Sequence, residues 1–258
     1  MDTIKSQKFW KPLLIFIILL ITILLTREYF SHKLIENGIT IYQTHIYLGI
    51  IANVVLIIIS YFFMCKNKLL SIAGVKDKKL RKSTLLIFPL IYLVLLNILL
   101  LEEINTSHLP LLLIYCISIG FAEEFSIRGS IQSYLIKYLG TSNKSVIWSI
   151  LASSVFFGLL HLFKFDKGLY GELSQVFFAT FIGIMFGVLL VITKSIYPLI
   201  IIHTLIDFTG KLDTAGYPVK KHISEPTSLE NSILIVLLVL PCLIYALFII
   251  RKRNLTKV

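Results

Sequence analysis

Residues 111–130 read LLLIYCISIGFAEEFSIRGS. Twelve uncharged residues run directly into Glu123 and Glu124, with Arg128 one helical turn later. Ionised groups at hydrocarbon depth are costly and mark functional sites. The fold turns on whether this run is a core helix or a membrane span, and the composition of the whole chain decides it.

Of 258 residues, 57% are hydrophobic and 15% charged, with a mean hydropathy of +0.87. An ordinary soluble domain carries roughly 25% charged residues. The apolar runs are unbroken rather than alternating, and in lipid only helices and closed barrels satisfy their own backbone groups. The sequence therefore predicts an all-α, polytopic transmembrane helical bundle. At roughly 20 residues per crossing, about eight spans fall near 9–26, 46–65, 84–101, 109–127, 145–163, 172–193, 196–210 and 231–250. The seventh is short and starts beside Pro198. No repeat, linker or soluble domain interrupts them. The expectation is a single membrane domain, 1–258, with N-terminal spans in 1–108, a motif-bearing core in 109–210, and a last loop, span and basic tail in 211–258.

Cytoplasmic loops are enriched in Lys and Arg. With the N-terminus inside, eighteen of the 25 basic residues fall on inner segments. These are Lys5, Lys8 and Lys11, seven residues from Lys66 to Lys82, then Arg128, Lys137, Lys144 and Lys194, and four from Arg251 to Lys257. Both termini are thus expected on the cytoplasmic side of the cell membrane, and the net charge of +11 becomes a topology signal. No nucleic-acid partner is expected, because the basic residues occupy juxtamembrane loops without an aromatic groove pattern. The lipid bilayer is the expected surrounding. The N-terminal run lacks a small-residue cleavage site before Arg27 and Glu28 and reads as a retained first span. Cys65, Cys116 and Cys242 form no CxxC pair and read as packed or lipid-facing side chains.

The chemistry-bearing residues concentrate between 121 and 207. At about 100° per residue, Glu123 and Glu124 point to adjoining faces of one helix, and Arg128 can reach back to Glu124 as an i,i+4 pair. Glu123 is left to face elsewhere. In SVFFGLLHLF, His161 follows Phe157 by one turn within an apolar run; alone, such a histidine reads as a packing residue. In IIHTLIDF, His203 and Asp207 stack on one face. Either both ligate one metal, or Asp207 holds the imidazole tautomer, or the pair merely ties two helices together.

Jointly, a glutamate to activate water, two histidines to bind a metal or an oxyanion, and an orienting carboxylate would make a hydrolytic centre. A divalent metal such as zinc could be held by His161, His203 and Asp207, with a fourth position left for water. HExxH and GxSxG are both absent. Gly183 and Gly187 form a GxxxG spacing that reads as helix packing.

EEFSIR (Glu123, Glu124, Arg128) resembles an EExxxR motif, FGLLH (Phe157, His161) resembles FxxxH, and HTLID (His203, Asp207) resembles HxxxN or HxxxD. In this order, each in an apolar span, they resemble the CPBP intramembrane proteases, also called the Abi or CAAX-protease and bacteriocin-processing family. The resemblance covers roughly 109–210. It implies an eight-span enzyme that cleaves a peptide bond in a hydrophobic peptide or membrane-associated protein, and it links bacterial members to peptide processing and bacteriocin self-immunity. It implies Glu123 as general base, Glu124 and Arg128 as its positioning pair, and His161, His203 and Asp207 as metal ligands or oxyanion stabilisers. Asp207 stands where some members carry asparagine.

These spans place Glu123 toward the inner side and His161 toward the outer end of its helix. The two can meet only if the fourth helix runs well beyond Arg128, toward Lys137, which the amphipathic IQSYLIKYL permits. A non-catalytic membrane immunity or peptide-binding protein that retains the polar network is the alternative. A proton-coupled transporter would need inverted repeats and broken helices, and neither is seen in the sequence.

Overall fold

The computed structural model describes residues 2–76, 81–101, 104–164, 167–219 and 226–255. Lys78, Lys79 and Lys257 of the inner set, and Lys220 and Lys221 of the outer loops, lie outside the described residues. All eight apolar stretches are helical, and no strand occurs among the described residues. The helices are α1 (Asp2–Glu36), α2 (Tyr42–Lys66), α3 (Ile87–Leu99), α4 (Leu109–Leu139), α5 (Asn143–Leu160), α6 (Gly168–Thr193), α7 (Tyr197–Thr209) and α8 (Leu229–Lys252).

Six of them are long and apolar enough to cross a membrane. The exceptions are α3, which with its leading 3-10 turn spans Ser83–Leu99, and α7. At about 1.5 Å per residue, the 13 residues of α7 cover only ~20 Å. The protein is a multi-pass membrane protein.

Local chemistry sets the helix boundaries. Ser142 caps α5 by accepting from Ser145 N at 3.2 Å, and Ser228 caps α8 by accepting from Asn231 N at 3.2 Å. Pro110 and Pro198 lie in the first turns of α4 and α7, where a missing N–H costs nothing. Gly140, at φ 105°, ends α4 in a conformation that other residues resist.

The connections segregate to two ends of the bundle. At one end Tyr134 Oη donates to Phe9 O, Lys137 Nζ to Asn67 O, Ile196 N to Gly74 O and Leu255 N to Asn143 Oδ1. Both chain ends therefore lie here, and we call it the terminal end. At the other, Asn105 N donates to Leu212 O, Val219 N to Thr40 O and Thr227 N to Lys167 O. Successive helices run back and forth between these ends.

Helix α6 is the most enclosed element, packed between α5 and α8. Its GxxxG face works as packing: a Cβ on Gly183 would lie 3.1 Å from Ser154 Cβ, and one on Gly187 would lie 2.6 Å from Gln132 Oε1. Helix α4 packs between α2 and α7. Gly120 lets α7 approach so closely that an added Cβ would lie 2.9 Å from Ile200 O. Cys116 and Cys242 are buried and Cys65 is half-buried, all three as free thiols.

Candidate active site

Helix α4 continues past Arg128 to Leu139, as the meeting of Glu123 and His161 requires. Its turns are α-helical over Leu109–Glu124, π-helical over Phe125–Gln132 and α-helical again over Ser133–Leu139. π-Helical turns are rare and are frequent at functional sites. Here the wider turn is held by hydroxyls: Ser126 Oγ donates to Ala122 O at 2.7 Å, and Ser133 Oγ donates to Arg128 O, five residues back, at 2.8 Å. All eight residues of the π-helical segment are buried. Glu123 is thereby the fifteenth of 31 residues in α4, near its midpoint.

Glu124 and Arg128 form the expected pair, Oε1 to Nη1 at 3.0 Å, with 0% and 1% of their side chains exposed. The pair is buried within the bundle and does not snorkel to an interface. Glu124 Oε2 and both Arg128 Nη atoms make no hydrogen bond among the described residues. The guanidinium is instead held by charge and by two aromatic faces, 4.6 Å from the Phe157 centroid and 5.6 Å from that of Phe186. The phenylalanine of the second motif thus supports the arginine of the first.

His203 lies between the two glutamates. Its Nδ1 is 2.8 Å from Glu124 Oε1 and its Nε2 is 3.3 Å from Glu123 Oε2. Ionised carboxylates only accept hydrogen bonds, so with both ionised the ring presents a proton on each nitrogen. Two carboxylates, one guanidinium and one imidazolium then balance in charge, as a buried cluster must. Edge contacts with Phe157 and Phe186 fix the ring plane. Glu123, 32% exposed against 12% for His203, is the member of the cluster most open to free space.

That space is a cavity of about 340 Å³, lined by Glu123, His161, His203 and Asp207 among others. His161 occupies the 3-10 turn that ends α5; its Nδ1–H donates to Phe157 O at 3.0 Å, so Nε2 is the nitrogen left for other partners. The structure therefore brings Glu123, Glu124, Arg128 and His203 into contact and sets His161 and Asp207 in the wall of the same cavity.

Asp207 does not orient His203. It pairs with Lys211 at 3.0 Å, one turn further on, and Glu124 takes the orienting role. The metal set fares likewise: among the described residues no three His, Cys, Asp or Glu side chains are grouped to hold an ion. The His203 nitrogens face carboxylates, Asp207 faces a cation, and His161 Nδ1 faces a carbonyl. The donors as arranged do not fit a divalent metal.

Four site residues escaped the sequence reading, three that line the cavity and one packed against Arg128 and His203. Lys211 was legible as the i,i+4 partner of Asp207. Arg27 and Glu28, treated there only as the end of the first span, line the cavity from α1. Phe186, within the GxxxG run, has no polar signal.

The fold and site define a polytopic helical membrane protein with a glutamate–histidine centre inside its bundle. Residues 105–209 match the Rce1-like family model, described as type II CAAX prenyl endopeptidase Rce1-like. Over that segment the chain is similar to this family of membrane endopeptidases, and the similarity points to a protease. No curated protein and no solved structure matches the chain.

Proposed function

We propose that the protein is an intramembrane endopeptidase in which Glu123 activates water against a peptide bond of a hydrophobic or membrane-associated peptide or protein. The observation that carries this is the Glu123 carboxylate, held from behind by His203 and open in front to a cavity that His161 also lines. Glu123 takes a proton from water as the oxygen forms a bond to the carbonyl carbon. It returns that proton to the amine as the C–N bond breaks. His161, steadied through Nδ1 on Phe157 O, offers Nε2 to the oxyanion when the ring is protonated. Glu124 and Arg128 are positioning residues that hold His203 and, through it, Glu123.

No step is routed through zinc, because ligation by His161, His203 and Asp207 would first have to break the His203–carboxylate and Asp207–Lys211 contacts. The Lys and Arg distribution supports a plasma-membrane location with cytoplasmic termini. Maturation of a peptide, as the family's bacteriocin-processing link suggests, is the biological role this chemistry serves.

Glu123→Gln keeps the side chain's shape and removes the base, so processing of a hydrophobic peptide by the reconstituted protein falls about 10²–10⁴-fold. Unchanged processing at normal membrane abundance would favour the non-catalytic immunity or peptide-binding role.

A further inference from the structure

With the N-terminus inside, only seven of the 25 basic residues fall on outer segments: Arg27, Lys33, Lys164, Lys167, Lys211, and the pair Lys220 and Lys221. Four of these, Arg27, Lys164, Lys167 and Lys211, line the cavity. The residues that run against the charge bias are thus concentrated at one structural feature. Acids accompany them there: Glu28 takes Arg27 Nε at 3.1 Å, Asp207 takes Lys211 Nζ at 3.0 Å, and Glu172 accepts from Lys167 N at 2.8 Å.

The elements that supply them are the second half of α1, the α5–α6 turn and the segment after α7, all on the side opposite the chain termini. Lys164 and Lys167 are exposed, so the cavity reaches the surface at that turn. Toward the terminal end the described residues close it. The whole of Phe125–Gln132 is buried beneath Glu124, and the 69–76 turn packs so tightly on Ser195 that a Cβ on Gly74 would lie 2.8 Å from Ser195 Cα. The terminal end carries the dense basic segments, among them Lys66, Lys68, Lys137 and Arg251.

We infer that the active-site cavity opens on the extracytoplasmic face of the membrane, and that its substrate is an exported or membrane-inserted peptide presented from that side rather than the tail of a cytosolic protein. The substrate half rests on the proposed role of Glu123; the sidedness does not. Water enters through the mouth at Lys164 and Lys167, and the apolar wall formed by residues such as Leu20, Leu24, Phe178 and Ile182 receives the hydrophobic part of the peptide.

The test uses the full chain in cells, with Cys65 replaced by serine and one exposed cysteine introduced as Lys167→Cys or Lys68→Cys. A membrane-impermeant maleimide is expected to label Lys167→Cys on intact cells and Lys68→Cys only after permeabilisation. The reverse pattern overturns the inference. In a second arm, an impermeant, charge-tagged fluorescent apolar peptide is added to right-side-out or everted membrane vesicles. Cleavage is expected in right-side-out vesicles and is lost with Glu123→Gln. Cleavage confined to everted vesicles and lost with Glu123→Gln overturns the sidedness while sparing the endopeptidase. Cleavage indifferent to Glu123→Gln sinks the endopeptidase and with it the substrate half, while labelling alone decides the sidedness.

Discussion

His203 Nδ1 lies 2.8 Å from Glu124 Oε1, so the imidazole on α7 is steered by a carboxylate on α4 rather than by Asp207 on its own helix. The same Glu124 oxygen is 3.0 Å from Arg128 Nη1. One buried oxygen therefore serves a guanidinium and an imidazole, and its loss strands a cation that is 1% exposed. Glu124→Gln should lower the stability of the detergent-solubilised protein by about 3–5 kcal/mol, the cost of breaking one side of a buried pair. The double substitution Glu124→Met with Arg128→Met should regain most of that loss, since the guanidinium leaves together with the carboxylate that balanced it. Thermal unfolding of both variants makes the check; equal loss in the two would mean that the pair is not the source.

Glu123 and His203 act as a unit if the 3.3 Å contact between them holds the base. Residues acting as a unit give non-additive kinetics. Glu123→Gln and His203→Gln should each lower kcat/KM by about 10²–10⁴-fold, and the double variant should fall no further than the weaker single. A double variant whose loss is the product of the two would show that the residues act independently.

Much of this was legible in the sequence because periodicity and charge are local signals. The apolar runs place all eight helices, and i,i+4 spacing pairs Glu124 with Arg128. The need for α4 to continue past Arg128 follows from the mismatch in depth between Glu123 and His161. What was not legible depends on contacts between helices. Glu124 reaches His203 only because Gly120 lets α7 approach α4. Phe186 enters the site because α6 is packed at the bundle's centre. Arg27 and Glu28 read as the end of a span, and only the packed bundle turns them into a cavity wall. The π-helical turns include a hydroxyl bond, Ser133 to Arg128 O, that spans five residues, one more than α-helical spacing.

Lys211 compensates the charge that Asp207 brings to the cavity wall. The two side chains are 38% and 19% exposed, so solvent screens the pair and its stability contribution should be no more than about 1 kcal/mol. Burial works against the Lys211 ammonium, yet Asp207 more than offsets it and holds the group above its ordinary value of 10.5. A raised folded-state value means that the pair's contribution is complete below the ordinary lysine range and is lost only as pH rises beyond it. Lys211→Leu should therefore change thermal stability little at neutral pH while lowering kcat/KM, because it leaves an unpaired carboxylate in the cavity wall. Asp207→Asn with Lys211→Gln should restore much of the rate. Lower activity in the double variant than in Lys211→Leu would refute the compensation.

Gly120 lies three residues before Glu123 and faces Thr204, the neighbour of His203. An added Cβ would lie 2.6 Å from Thr204 Oγ1 and 2.9 Å from Ile200 O. The hydroxyl can rotate away, but the backbone oxygen cannot, so α7 must shift as a body. Gly120→Ala should cost about 1–3 kcal/mol, the usual range for overpacking, and should lower kcat out of proportion because the shift opens the Glu123–His203–Glu124 contacts. Gly183→Ala is the matched control: its Cβ would meet Ser154 Cβ at 3.1 Å, a milder conflict between α6 and α5 that touches no backbone oxygen. That variant should show a small drop in Tm with kcat retained. Tm and kcat measured on the same preparations separate the two effects, and a Gly120→Ala protein with wild-type kcat would mean that the approach of α7 to α4 does not set the site's geometry.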